Sequence, residues 1–340
     1  MLPGPWPVGF TRLARADSAR PLPTGDPRPL DIGVWFPARA PGPSHLTLRT
    51  YFPPGGGEES TALAAFLVAH GAPDSAVAAW LDAPMLATAD PTPAGDRFPL
   101  VLVAQGNGQT VQDQAPLAEY LASHGYVVAT SPSPTRITGP LTDEQSVGSR
   151  AEEQARDLAF VRGALVDRAD LDGGRIGLVA HSFGARGALL LAMQDSAVGA
   201  LVSLDGGIGT ATARQSFESA TTFNASATRT PVLHFYERLD GFMAPDFGLL
   251  RSLGPAERWV VEVPSLHHHH FTNLGAAGID HPSLRVATGA TAATARAYAS
   301  VADATLSFLD AFLKGDRTAR ARFEHGARWP GLGPLERLRR

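Results

Sequence analysis

The chain has 340 residues, 44% hydrophobic and 18% charged, with a formal net charge of -4 and no cysteine. This is the composition of an ordinary soluble globule with ample core material, and the missing thiols exclude disulfides, thiolate catalysis and cysteine-based zinc sites. No basic stripe interleaved with aromatics argues for nucleic acid, and no run reaches the roughly 18 apolar residues of a membrane span.

The N-terminus, Met-Leu-Pro-Gly-Pro-Trp, lacks the basic start and apolar stretch of a signal peptide. The compartment stays open: cytoplasmic, or secreted with a leader already removed. Residues 1–28 are rich in proline, glycine and arginine, and are expected to wrap the surface. Two β-type runs follow, at 30–36 and 46–52, separated by Pro41-Gly42-Pro43-Ser44 as an antiparallel pair would be. Residues 61–89, full of alanine and leucine, read as a helical insertion that either covers a site or pads the sheet edge.

From Phe98 a regular alternation begins. The apolar run at 99–104 suits a strand buried on both faces. Helix is expected over 111–124, strand over 125–130, helix over 143–167 and strand over 175–180. Strands follow at 198–204, 231–236 and 258–263, and a helix over 293–313 closes the alternation. Arg337, Arg339 and Arg340 are expected to form a solvated tail. Alternating strands and helices imply right-handed crossovers and a mostly parallel sheet covered on both faces. With no internal repeat and no clean linker, residues 1–340 read as a single α/β domain.

One stretch carries the chemistry. Residues 175–180 end at His181-Ser182-Phe183-Gly184, and a helix-compatible run follows directly. A serine at a sharp strand-to-helix turn presents its hydroxyl at the apex, and the strain of that turn demands small neighbours. The strict pattern is G-x-S-x-G, and Ala180 stands in its first place. A serine needs a base to take its proton and a third group to orient that base. At turns of this type the acid and then the histidine come later in the chain.

The run His267-His268-His269-His270 follows the last expected strand and supplies the base. A metal site there is disfavoured, because neighbouring residues in an extended segment point to opposite faces. Two aspartates fit the acid by position, Asp205 after the strand at 198–204 and Asp240 after the next; each also suits a turn beside glycine. The oxyanion hole draws one N–H from Phe183 and a second from the loop Ala104-Gln105-Gly106-Asn107-Gly108-Gln109, where Asn107 is the chosen donor. That loop has neither the G-x-G-x-x-G pattern nor the lysine of a phosphate cradle.

Over residues 8–320 or so, the sequence resembles the α/β-hydrolases, and within them the dienelactone hydrolase and platelet-activating-factor acetylhydrolase branch. The resemblance is carried by Pro7-Val8-Gly9, by residues 28–38 and 117–129, and by His181-Ser182-Phe183-Gly184. It implies an α/β-hydrolase fold with helices on both faces of a mostly parallel sheet. The acetylhydrolases place their acid in a Leu-Asp context, matched by Leu204-Asp205, and their histidine three residues before a phenylalanine. Phe271 therefore selects His268, with His267 as fallback. Two departures are Gln105-Gly106 where the branch has His-Gly, and Ala180 for the first elbow glycine. The implied activity is cleavage of a small-molecule or lipid carboxylic ester through an acyl-enzyme, without cofactor or metal. An acyltransferase with the same triad, and a non-catalytic binding protein on this fold, are the alternatives.

Overall fold

The computed structural model describes residues 1–339 except Gly56, Asp90, Glu218 and Ser219, and leaves aside the side chains of Glu144 and Gln145. Eleven strands form one sheet among these residues. They are β1 (Val8–Asp17), β2 (Arg28–Pro37), β3 (His45–Thr47), β4 (Pro84–Ala89), β5 (Phe98–Ala104), β6 (Val127–Thr130), β7 (Leu171–His181), β8 (Val198–Leu204), β9 (Val232–Tyr236), β10 (Arg258–Glu262) and β11 (Glu336–Arg337). The helices are α1 (Gly57–Ala69), α2 (Asp74–Leu81), α3 (Ala115–Ser123), α4 (Pro134–Thr138), α5 (Glu144–Ala164), α6 (Gly184–Gln194), α7 (Gly248–Ser252), α8 (Asn273–Asp280), α9 (Arg285–Thr288), α10 (Ala292–Leu309) and α11 (Arg317–Glu324). No helix of the described residues is long and apolar enough to cross a membrane.

The sheet order is β11-β10-β9-β8-β7-β5-β6-β2-β1-β4-β3. Strands β6, β5, β7, β8, β9 and β10 are mutually parallel. Every residue of β5 is buried, as a strand covered on both faces requires. Its side chains alternate between two cores: Val101 and Val103 pack with Leu117, Leu121, Val301 and Phe308 of α3 and α10. On the other face, Leu100 and Leu102 join Leu158 and Val161 of α5 and Leu189 and Leu190 of α6. The period-2 alternation of strands thus builds one core per face.

Four expectations need correction, all at the sheet margins. Residues Val8–Asp17 do not wrap the surface: β1 pairs antiparallel with β2 along its whole length and parallel with β4. The run at 46–52 does not pair with 30–36. Only His45–Thr47 is extended, it pairs with β4, and Leu48–Tyr51 turns into a 3₁₀ helix. The insertion at 61–89 is not all helix, because Pro84–Ala89 is a strand. Buried Glu119 of α3 explains that placement. Its carboxylate accepts the Leu86 and Ala87 N–H groups at 2.9 Å each and the Tyr51 hydroxyl. Finally, Arg337 and Arg339 are exposed as expected, but the segment at Arg337 is not a free tail. β11 adds to the β10 edge, and Arg337 reaches Glu257 at 2.7 Å; Arg340 lies outside the described residues.

Candidate active site

The carboxyl ends of parallel strands are where such sheets place their sites, and here the sequence-selected residues gather there. β7 ends at His181 and α6 starts at Gly184, so Ser182 and Phe183 turn the chain. Ser182 has φ +55°, a left-handed conformation that costs an L-residue about 1–2 kcal/mol. Main-chain bonds hold it: the Ser182 N–H donates to Leu204 O at 3.2 Å, and the Gly207 N–H donates to Ser182 O at 2.9 Å. A Cβ on Gly184 would lie 2.2 Å from the Ala104 carbonyl oxygen, so only glycine lets α6 start so close to β5. Ala180 is fully buried and keeps its methyl within the core.

Asp205, just past β8, is the other non-glycine residue of positive φ (+44°) among those described. Its N–H donates to Phe235 O at 2.9 Å, and Gly206 passes close to Ser203 and Ala185. The histidine run past β10 enters a 3₁₀ turn, His268–Phe271, which turns the His268 ring toward Ser182 while the rings of His267, His269 and His270 pack together, the last two with centroids 4.1 Å apart. His268 Nε2 lies 2.8 Å from Ser182 Oγ, and its Nδ1 lies 2.5 Å from Asp205 Oδ2. The second Asp205 oxygen accepts the Glu237 N–H at 3.3 Å. Burial pushes the Asp205 carboxyl up, against the opposing pull of His268. An imidazole held this way donates from Nδ1 to the carboxylate and offers Nε2 to the hydroxyl proton.

Asp240, the other candidate acid, does not touch the His268 ring. Its Oδ2 accepts the main-chain N–H of His268 at 2.8 Å, and its Oδ1 lies 2.9 Å from His267 Nδ1. Burial raises its pKa, but the bonds from His267 and the His268 N–H outweigh that, and the net direction is down. Glu237 in turn accepts the Asp240 N–H at 2.9 Å. His267 is therefore turned to Asp240, and His269 and His270 reach Thr288 O at 2.9 and 2.7 Å.

At the end of β5, the Gly106 N–H donates to Gln109 Oε1 at 2.6 Å and the Gly108 N–H to Thr135 Oγ1 at 2.9 Å. The Asn107 N–H between them, and the Phe183 N–H at the start of α6, have no protein acceptor among the described residues. Asn107 is exposed and the Phe183 side chain is buried.

Two residues of this region have roles that no sequence pattern announces. His181, 3% exposed, lies between two acceptors, with Nδ1 at 3.0 Å from Gln109 Oε1 and Nε2 at 3.1 Å from the His268 carbonyl. Burial, then the neighbouring His268, hold its pKa well below the usual value. A neutral ring carries one N–H and donates to one of those oxygens at a time. Through Gln109 and His181 the glycine-rich loop is tied to the histidine loop. Both residues sit inside motifs noted for their neighbours, and only the folded chain reveals the link.

No family model and no curated protein matches the chain. Among solved structures, a ferulic acid esterase from Streptomyces cinnamoneus is similar, with a TM-score of 0.69 and 22% identity over 97% of this chain and 96% of that one. The likeness is one of fold, and the chain has the α/β-hydrolase fold: a largely parallel central sheet flanked by helices.

Proposed function

We propose that this protein hydrolyses carboxylic esters, with Ser182 as nucleophile, His268 as base and Asp205 as the orienting acid. The observation that carries the reading is the unbroken chain from Asp205 Oδ2 through His268 to Ser182 Oγ, with its 2.5 and 2.8 Å contacts. The fold shared with a ferulic acid esterase and the sequence resemblance to the dienelactone hydrolase and acetylhydrolase branch support the same reading.

Ser182 Oγ attacks the acyl carbon while its proton passes to His268 Nε2. The carbonyl oxygen becomes an oxyanion and takes hydrogen bonds from the Phe183 and Asn107 N–H groups. Donors already in place are worth most to a charge that develops only in the transition state. The intermediate collapses, the ester C–O bond breaks, and His268 returns the proton to the departing alkoxide. Water then attacks the acyl-enzyme, giving its proton to His268 and releasing the carboxylic acid as Ser182 regains its hydrogen. Asp205 keeps the imidazole in the right tautomer and stabilises its cation. No step calls for a cofactor.

An organophosphonate probe tests the assignment. The expected result is one adduct per chain, on Ser182 by peptide mass, and a Ser182→Ala variant whose p-nitrophenyl acetate turnover falls at least about 10³-fold. Labelling of another residue, or undiminished turnover in the variant, overturns it.

A further inference from the structure

One large apolar side chain stands in the open beside this site. Phe242 is 71% exposed, on a single 3₁₀ turn, Gly241–Met243, in the segment between β9 and α7. A single exposed apolar side chain is ordinary by itself; what distinguishes this one is its place against His268. Its ring stands edge-on to His268, with centroids 5.2 Å apart and planes at 79°. Leu239, 49% exposed, stands three residues earlier.

The loop that carries the ring is pinned. Asp240, between Leu239 and Phe242, holds the His268 N–H and faces His267. Fully buried Glu237 accepts the Leu239 and Asp240 N–H groups. The ring is thus presented by an anchored turn and referenced to His268 through the same aspartate.

Resting on the ester-hydrolase reading, the direction of the chemistry says which part of a substrate meets this ring. The carbonyl oxygen faces the Phe183 and Asn107 N–H groups. The leaving oxygen must lie within reach of His268 Nε2 to receive the proton. The alcohol portion therefore passes His268, where Phe242 stands. We infer that Phe242 is the contact surface for the alcohol portion, and that the favoured substrates are esters of aromatic or bulky apolar alcohols.

Benzyl acetate and methyl phenylacetate test this, because they are isomers that carry the same ring on opposite sides of the ester. The readout is the ratio of their kcat/KM values, from which any loss of folded protein cancels. In Phe242→Ala the ratio of benzyl acetate to methyl phenylacetate is expected to fall about tenfold, the scale of a lost aromatic contact with its buried area. In Phe242→Leu, which keeps an apolar contact without the ring, the fall is smaller. A ratio in Phe242→Ala within about twofold of the wild type, too small for a lost aromatic contact, or one that rises, overturns the inference. Ser182→Ala separates the two layers: if it still turns over both esters, the reading of the site itself has failed, whatever the ratio does.

Discussion

Asp240 accepts the main-chain N–H of His268 at 2.8 Å, while Asp205 holds the ring of the same residue at 2.5 Å. One carboxylate fixes where the backbone runs and the other fixes how the imidazole is turned. On the proposed mechanism the two differ sharply in consequence. Asp205→Asn leaves the wrong tautomer facing Ser182 and should lower kcat by about 10³–10⁴. Asp240→Asn keeps an acceptor oxygen near the His268 N–H and should cost about tenfold or less. Steady-state kinetics on one ester decide it, and the reverse ranking would give Asp240 the orienting role.

Gln109 joins the loop after β5 to His181 through a single oxygen. Gln109→Leu removes that acceptor from both the Gly106 N–H and His181, freeing the segment that carries the Asn107 N–H. The expected result is a fall in kcat of about 10–100-fold with KM little altered, since an oxyanion donor acts in the transition state. A change confined to KM would show that the link matters for binding instead.

His234, on β9 with Nδ1 at 2.9 Å from Ser203 Oγ, is pushed down to about 3 by burial. The unfolded chain therefore binds a proton below about pH 6.5 that the folded chain refuses. The His234 contribution is fully retained above that pH and is lost as pH falls toward the folded value, at up to ~1.4 kcal/mol per pH unit. Urea unfolding at pH 7 and pH 5 should show wild type losing more stability than His234→Asn. Coincident slopes would mean that His234 titrates in the fold as it does in the unfolded chain.

At the elbow, Gly184→Ala would drive a methyl to within 2.2 Å of the Ala104 carbonyl oxygen, and backbone there has little room to yield. A loss of about 3 kcal/mol or more in unfolding free energy is expected. Ala180→Gly, which restores the strict motif, should cost only about 0.5–1 kcal/mol, the entropic cost of glycine in a strand. Equal losses at the two positions would refute the steric account.

The inner strands were legible because burial on both faces leaves a largely apolar run, as in β5, and as in β8 with Ser203 its one polar side chain. β1 was not, since past Val8–Phe10 it carries half-buried Arg12, the exposed stretch Ala14–Ala16 with Arg15, and a buried Asp17, which break the apolar pattern. β4 was hidden by the alanine-rich helices before it, and what seats it is Glu119, more than thirty residues downstream. Ser182 was readable because a strained turn restricts its neighbours to small residues. Position alone did not separate Asp205 from Asp240, because both follow strands and both adjoin glycine; only the Leu204-Asp205 context of the resemblance selected Asp205. A four-histidine run does not by itself announce which ring turns toward Ser182, since that depends on the 3₁₀ turn and its contacts with Asp240 and Thr288; His268 was selected only through the resemblance, from Phe271.

Ser182 and His268 are 86 residues apart in sequence, and Asp205 and His268 are 63 apart. Their meeting requires β7, β8, β9 and β10 to be paired in that order, a non-local arrangement of the kind that slows folding. Helix content and chain collapse can recover before that point. Ester turnover followed during refolding would then serve as a clock for the final docking step, lagging the spectroscopic return of helix.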